Sequence, residues 1–132
     1  IVYSDPAIAS DSASWTLNQG TPTASIGADS NGVSLQQGVL AGAFNAAIWI
    51  TVVVGRKYEI KAKLSSQSQD AVGQIYQGGA ADGGSVIALS AGDTYEYTFT
   101  ATNSDFELQL FNFNLNPARI IYVEEVYFRE VA

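Results

Sequence analysis

Runs in which apolar and polar residues alternate one by one constrain this chain more than any other feature. In "RKYEIKAKLSS", Tyr58, Ile60, Ala62 and Leu64 alternate with Lys57, Glu59, Lys61 and Lys63. Successive side chains of a strand point to opposite faces, so this segment reads as an antiparallel strand with one buried and one solvated face. "DTYEYTFTAT" repeats the pattern, with Tyr95, Tyr97 and Phe99 set against Thr94, Glu96, Thr98 and Thr100. β-Branched and aromatic residues fill both segments, as strands favour. "NAAIWITVVV" places Ile48, Ile50 and Val52 on one face and Trp49, Thr51 and Val53 on the other. Its outward face is apolar too, so that face is expected to be covered or used.

Parity along the remaining strands predicts two irregularities. In "DFELQLFNFNLN", Phe106, Leu108 and Leu110 share one parity and Phe111, Phe113 and Leu115 the other, which calls for a bulge or turn near Leu110. In "ARIIYVEEVYFREV", Ile121 and Val123 share a face, while Val126 and Phe128 have the opposite parity. All four can face one core only if an extra residue sits between them, which makes Glu124-Glu125 a β-bulge. Asn31-Gly32, Gly55, Gly78-Gly79, Gly83-Gly84 and Gly92 punctuate the runs, Asn31-Gly32 being a hairpin signal. "QGGAADGGS" reads as a flexible loop, since it lacks the lysine and helix signal of a phosphate cradle. "GVSLQQG" and "AVGQIYQGG" complete a set of about seven strands with no helical periodicity. The expected architecture is all-β: a two-sheet antiparallel β-sandwich of jelly-roll type, one domain over 1–132 with 1–10 as a loosely held lead-in.

Composition narrows function by exclusion. The chain has no His and no Cys, which removes Ser-His-Asp and Cys-His catalysis, ordinary zinc sites and disulfides. Adjacent glutamates on a regular strand point apart, and a bulge that brought them together would not by itself build a substrate cleft, so the bulge reading of Glu124 and Glu125 is preferred to a glycosidase pair. The net charge is −7, which repels phosphate backbones and argues against a nucleic-acid partner. Lys57, Lys61 and Lys63 read as a solvated strand face. No apolar run approaches the twenty residues of a membrane span. Only 14% of residues are charged, so Ser, Thr, Asn, Gln and Gly must cover the surface, as suits secreted, cell-surface or virion proteins. The chain opens at Ile1, lacks Met and shows no leader, and is expected to be a processed product, a fragment or an excised domain. Calcium is the metal that a carboxylate at a strand kink would suit, with Glu124 as ligand and help from Asp5; "ADSNG" lacks the later glutamate of a calcium loop and reads as a turn.

The order "IWITVVVGRKYEIKAKLSS", "DTYEYTFTATNSDFELQLF", "RIIYVEEVYFREV" resembles the jelly-roll domains of carbohydrate-binding modules of families four, nine and twenty-two, a fold also found appended to phage tail and capsid proteins. The resemblance covers about residues 13 to 130. It rests on the glycine turn at Gly55 leading to Tyr58, on the early Trp15, and on Ile121-Tyr122-Val123-Glu124-Glu125-Val126 in the last strand. Glu124 departs from the Asp usual there near a structural calcium. The resemblance implies a non-catalytic fold of two packed antiparallel sheets and names no ligand.

Two functions fit. In the first, the chain is a non-catalytic glycan-binding or adhesion domain of an extracellular or virion-surface protein. Trp49, Tyr76, Tyr122 and Tyr127 would stack on sugar faces, and Asn112, Gln74, Asn114 and Gln77 would meet hydroxyls. In the second, it is a structural or assembly domain, such as a virion decoration or appendage subunit. The two-faced "AAIWITVVV" would then lie under a neighbouring chain in a homo-oligomer.

Overall fold

The computed structural model of the chain describes residues 2–4, 15–19, 25–29, 32–36, 44–112 and 120–131, with side chains for 34–35, 47–111 and 120–131. The seven strands expected from alternation form, and five short ones not expected from the sequence join them among the described residues. They are β1 (Val2–Ser4), β2 (Trp15–Gln19), β3 (Ser25–Asp29), β4 (Gly32–Gln36), β5 (Phe44–Thr51) and β6 (Lys57–Leu64). After them come β7 (Ala71–Gln77), β8 (Ala80–Ala81), β9 (Ile87–Leu89), β10 (Thr94–Thr100), β11 (Asp105–Asn112) and β12 (Ile120–Val131). Among the described residues the only helical piece is a 3-10 turn at Gly83–Ser85, and no helix is long and apolar enough to cross a membrane.

The strands form two antiparallel sheets. The first has the order β10-β6-β12-β4-β3, with β1 also on β12; the second has the order β2-β5-β11-β7-β8, with β9 also on β7. The inward parity of each strand closes over one core. Tyr58, Ile60, Ala62 and Leu64 of β6 are all buried, as are Tyr95 and Phe99 of β10 and Phe106, Leu108 and Leu110 of β11. At one end Phe106 of the second sheet stacks on Phe99 of the first, with centroids 4.6 Å apart and planes within 5°; Tyr58 stacks on Phe128 at 5.2 Å. Such ring pairs add about 0.5–1.5 kcal/mol each beyond the area they bury.

The glycine turn before Tyr58 has a clear cause. Arg56 N–H closes a turn on the Val53 carbonyl at 3.1 Å, and the third turn residue, Gly55, has φ +88°. A positive φ at that position needs a residue that tolerates it, as glycine does. Tyr58 then reaches back, its hydroxyl accepting the Val53 N–H at 2.9 Å.

β12 carries the expected bulge. Val123 pairs with Leu64 and Glu125 with Lys63, so Glu124 is the extra residue. Ile121 and Val123 before it and Val126 and Phe128 after it are all buried, and both glutamates are exposed. No second irregularity appears near Leu110 among the described residues. The register of β11 runs unbroken from Asp105 to Asn112 against β5, and Phe111 is buried on the outward face rather than flipped inward. Phe113 and Leu115 lie outside the described residues.

"QGGAADGGS" is ordered rather than a flexible loop. Gln77 pairs with Ala80 across Gly78 and Gly79, whose φ values of +59° and +80° make a two-residue hairpin turn. Asp82 then caps the 3-10 turn, accepting Gly84 N–H at 3.0 Å on one carboxylate oxygen and the Tyr97 hydroxyl at 3.1 Å on the other. The buried Ser85 hydroxyl donates to the Asp82 carbonyl at 2.6 Å and accepts Ile75 N–H at 2.9 Å, while the Ser85 carbonyl accepts the Tyr95 hydroxyl at 2.8 Å. These bonds join β10 of one sheet to β7 of the other, and they satisfy a serine that would otherwise be costly to bury.

Candidate functional site

The outward parity of the second sheet brings several polar and aromatic side chains into rows. Glu107 of β11 pairs with Trp49 of β5 on one side and with Tyr76 of β7 on the other. Directly opposite residues share a face, so Trp49, Glu107 and Tyr76 form one row across three strands. Two strand spacings set the aromatics roughly 10 Å apart. The next row is Ala47, Gln109 and Gln74, and the one after it includes Phe111 and Val72.

Exposure varies along these rows. Trp49 is 50% exposed and Tyr76 partly so, whereas Glu107 and Gln109 are buried at 4% and 7%. Both polar side chains are engaged within the chain. Tyr76 faces the small, exposed Ala81 on β8, which leaves its ring open on that side. Its hydroxyl donates to Gln74 Oε1 at 3.4 Å, and Gln74 Nε2 donates to the Asp82 carbonyl at 3.2 Å. Gln74 therefore links Tyr76 to the capped turn. The arrangement sets two aromatic side chains on either side of a buried carboxylate and of amides bonded within the chain, and the aromatics suit the apolar face of a sugar ring.

The candidate residues read from the sequence divide between the two sheets. Trp49, Tyr76 and Gln74 share the outer face of the second sheet. Tyr122 and Tyr127 lie on the outer face of the first, opposite Ser34 and Lys61, so the whole sandwich separates them from Trp49. Asn112 ends β11 opposite Phe44; its side chain, and Asn114, lie outside the described residues. The Gln77 amide has a structural task, accepting Thr102 N–H at 2.8 Å and donating to the Thr100 carbonyl at 3.4 Å. Trp15 pairs with Ile48, and its side chain is not among those described.

Glu107 and Gln109 were missed by sequence reasoning. The signal for them was present: two polar residues at outward positions of an otherwise apolar strand.

Among the described residues nothing joins Glu124 in a calcium site. It is exposed on the bulge with the Lys63 ammonium 3.7 Å from its carboxylate, and that cation opposes a second one. Among the described residues no group of three His, Cys, Asp or Glu could hold a metal ion, and Asp5 lies outside them.

No protein-family model and no curated protein sequence matches the chain. Solved structures do. The chain is similar to the enzymatically active domain of tailspike protein 4 of bacteriophage CBA120, with a TM-score of 0.61 and 16% identity over 96% of the chain; it spans only 22% of that protein. It is similar to the xylan-binding module CBM15, with a TM-score of 0.56 and 16% identity over 100% of the chain and 97% of the module. A low-affinity xylan-binding module, CBM86 from Roseburia intestinalis, matches with a TM-score of 0.62 and 12% identity over 99% of the chain and 95% of the module. At these identities the likeness concerns the fold: the chain is a jelly-roll β-sandwich of the kind found in carbohydrate-binding modules.

Proposed function

We propose that the chain is a non-catalytic glycan-binding domain that takes its saccharide across the outer face of the second sheet. The observation that carries this reading is the row of Trp49, Glu107 and Tyr76. Aromatic faces stack on the C–H faces of sugar rings, and Trp49 and Tyr76 set two such faces roughly 10 Å apart across β11. The match to xylan-binding modules along nearly their full length makes xylan the first polysaccharide to test. An extracellular or virion-surface setting, with no nucleic-acid partner, fits the same reading and the net charge of −7.

Affinity electrophoresis through gels containing xylan, extended to a glycan array, tests it. Trp49→Ala should keep the fold and weaken retention at least about tenfold, the equivalent of about 1.4 kcal/mol for truncating a stacking aromatic. Unchanged retention of Trp49→Ala on a glycan that holds the parent would remove Trp49 from the site.

A second reading, a structural or assembly domain, draws on exposed apolar surface at the end of β5 and its turn. Trp49, Val53 and Val54 are 50%, 47% and 59% exposed. Under this reading a second copy covers them. Sedimentation of a monomer at high concentration, with solvent-quenched Trp49 fluorescence, would count against it.

A further inference from the structure

We propose that the outer face of the first sheet holds a second saccharide site, specific for a sugar carrying a carboxylate. An open trough of about 440 Å³ lies over β6, β12 and β10, lined by Thr94 together with Glu59, Lys61, Lys63, Glu125, Tyr127 and Arg129. That volume falls in the range of ligand pockets, roughly 300–1,000 Å³. The lining carries three cations and two carboxylates, and two further carboxylates, Glu96 and Glu124, pair with its lysines. Register sets Tyr127 beside Lys61, Glu125 beside Lys63 and Arg129 beside Glu59, so the aromatic lies in the middle of the charged rows.

Among the described residues each of the three cations is ion-paired but not hydrogen-bonded to capacity. Arg129 donates its Nε–H to Glu59 at 3.0 Å, and among the described residues its two Nη groups have no partner. The Lys61 ammonium lies 3.8 and 3.7 Å from Glu59 and Glu96, and that of Lys63 lies 3.7 Å from Glu124, too far for hydrogen bonds. A free guanidinium fork matches a carboxylate in two-point geometry. Glu59 and Glu125 repel a bare anion but accept hydrogen bonds from hydroxyls, and Tyr127 offers a ring face. A lining of donors, acceptors and one aromatic thus selects a uronic acid residue over a simple anion or an apolar molecule. This site shares no residue with the one on the second sheet and stands or falls separately from it.

Titrating the isotopically labelled chain with trigalacturonate and with neutral galactotriose, by NMR at low salt, decides the matter. Trigalacturonate should shift the amide signals of Lys61, Lys63, Tyr127 and Arg129, weaken as salt is added, and leave galactotriose without effect there. Lys63→Gln and Arg129→Gln should each weaken trigalacturonate about tenfold, while Trp49→Ala leaves it unchanged. The proposal is overturned if trigalacturonate causes no shifts on β6 and β12, if galactotriose causes the same ones, or if folded Lys63→Gln binds as the parent does.

Discussion

At the residue scale, single atoms decide whether the sheets can approach. Gly73 faces the core opposite Leu110, and a methyl group added there would overlap the Tyr95 ring. That ring cannot swing away, because it is fully buried and its hydroxyl is held by the Ser85 carbonyl. Gly73→Ala should therefore cost about 1–3 kcal/mol, the usual penalty of overpacking. Gly83→Ala, with open space around it, should be nearly neutral. Chemical denaturation of the two variants checks the contrast, and equal stabilities would contradict it.

Tyr95 also gives a pH dependence. Burial raises its pKa well above the ordinary 10.0, more than the nearby Ser85 hydroxyl lowers it; Tyr97 is raised as well, by burial and then by its bond to Asp82. The unfolded chain therefore releases these protons at lower pH than the folded one. Their contribution to stability is complete below about pH 10 and declines as pH rises above it. Unfolding midpoints measured from pH 8 to 12 should fall at the alkaline end, and Tyr95→Phe should flatten that fall while lowering stability at neutral pH. A profile identical to the parent's would rule out Tyr95 as its source.

At the scale of elements, β12 shows how a strand accommodates two parities. Deleting Glu124 removes the extra residue and turns Val126 and Phe128 toward solvent whenever Ile121 and Val123 face the core. The deletion variant should lose cooperative unfolding. Glu124→Ala, which breaks only an exposed ion pair with Lys63, should change stability by less than about 0.5 kcal/mol. Thermal melts separate the two, and a deletion variant melting with the parent would refute the bulge as the cause.

This bulge was legible in the sequence because all four buried residues around it are large and apolar, so the parity conflict had one solution. The same logic misled at Leu110, where Phe111 is apolar yet faces outward. A large apolar residue marks the core only if the outer face of its sheet is solvated, and around Phe111 it is not. The mistake also hid Glu107 and Gln109, whose outward positions become meaningful once the strand is seen to be regular. The capped turn at Asp82 was illegible for a different reason. Its partners Gln74, Tyr95 and Tyr97 come from two sheets, and no local pattern announces them.

At the scale of the whole molecule, alternation predicts two layers but not which strand enters which layer. Trp49, Tyr76 and Tyr127 all alternate outward, and only the strand order separates them. β5, β11 and β7 are neighbours in one sheet; β6 and β12 are neighbours in the other. Pairing register then turns scattered residues into rows, with Trp49, Glu107 and Tyr76 on one side and Lys61 and Tyr127 on the other. The sandwich thus presents two chemically different outer faces, one aromatic with buried polar groups and one striped with charge. A crystal structure of the chain with a bound xylo-oligosaccharide tests the central claim most directly. The sugar should lie across β5, β11 and β7 with rings against Trp49 and Tyr76; a sugar seated elsewhere, with Trp49 untouched, would contradict it.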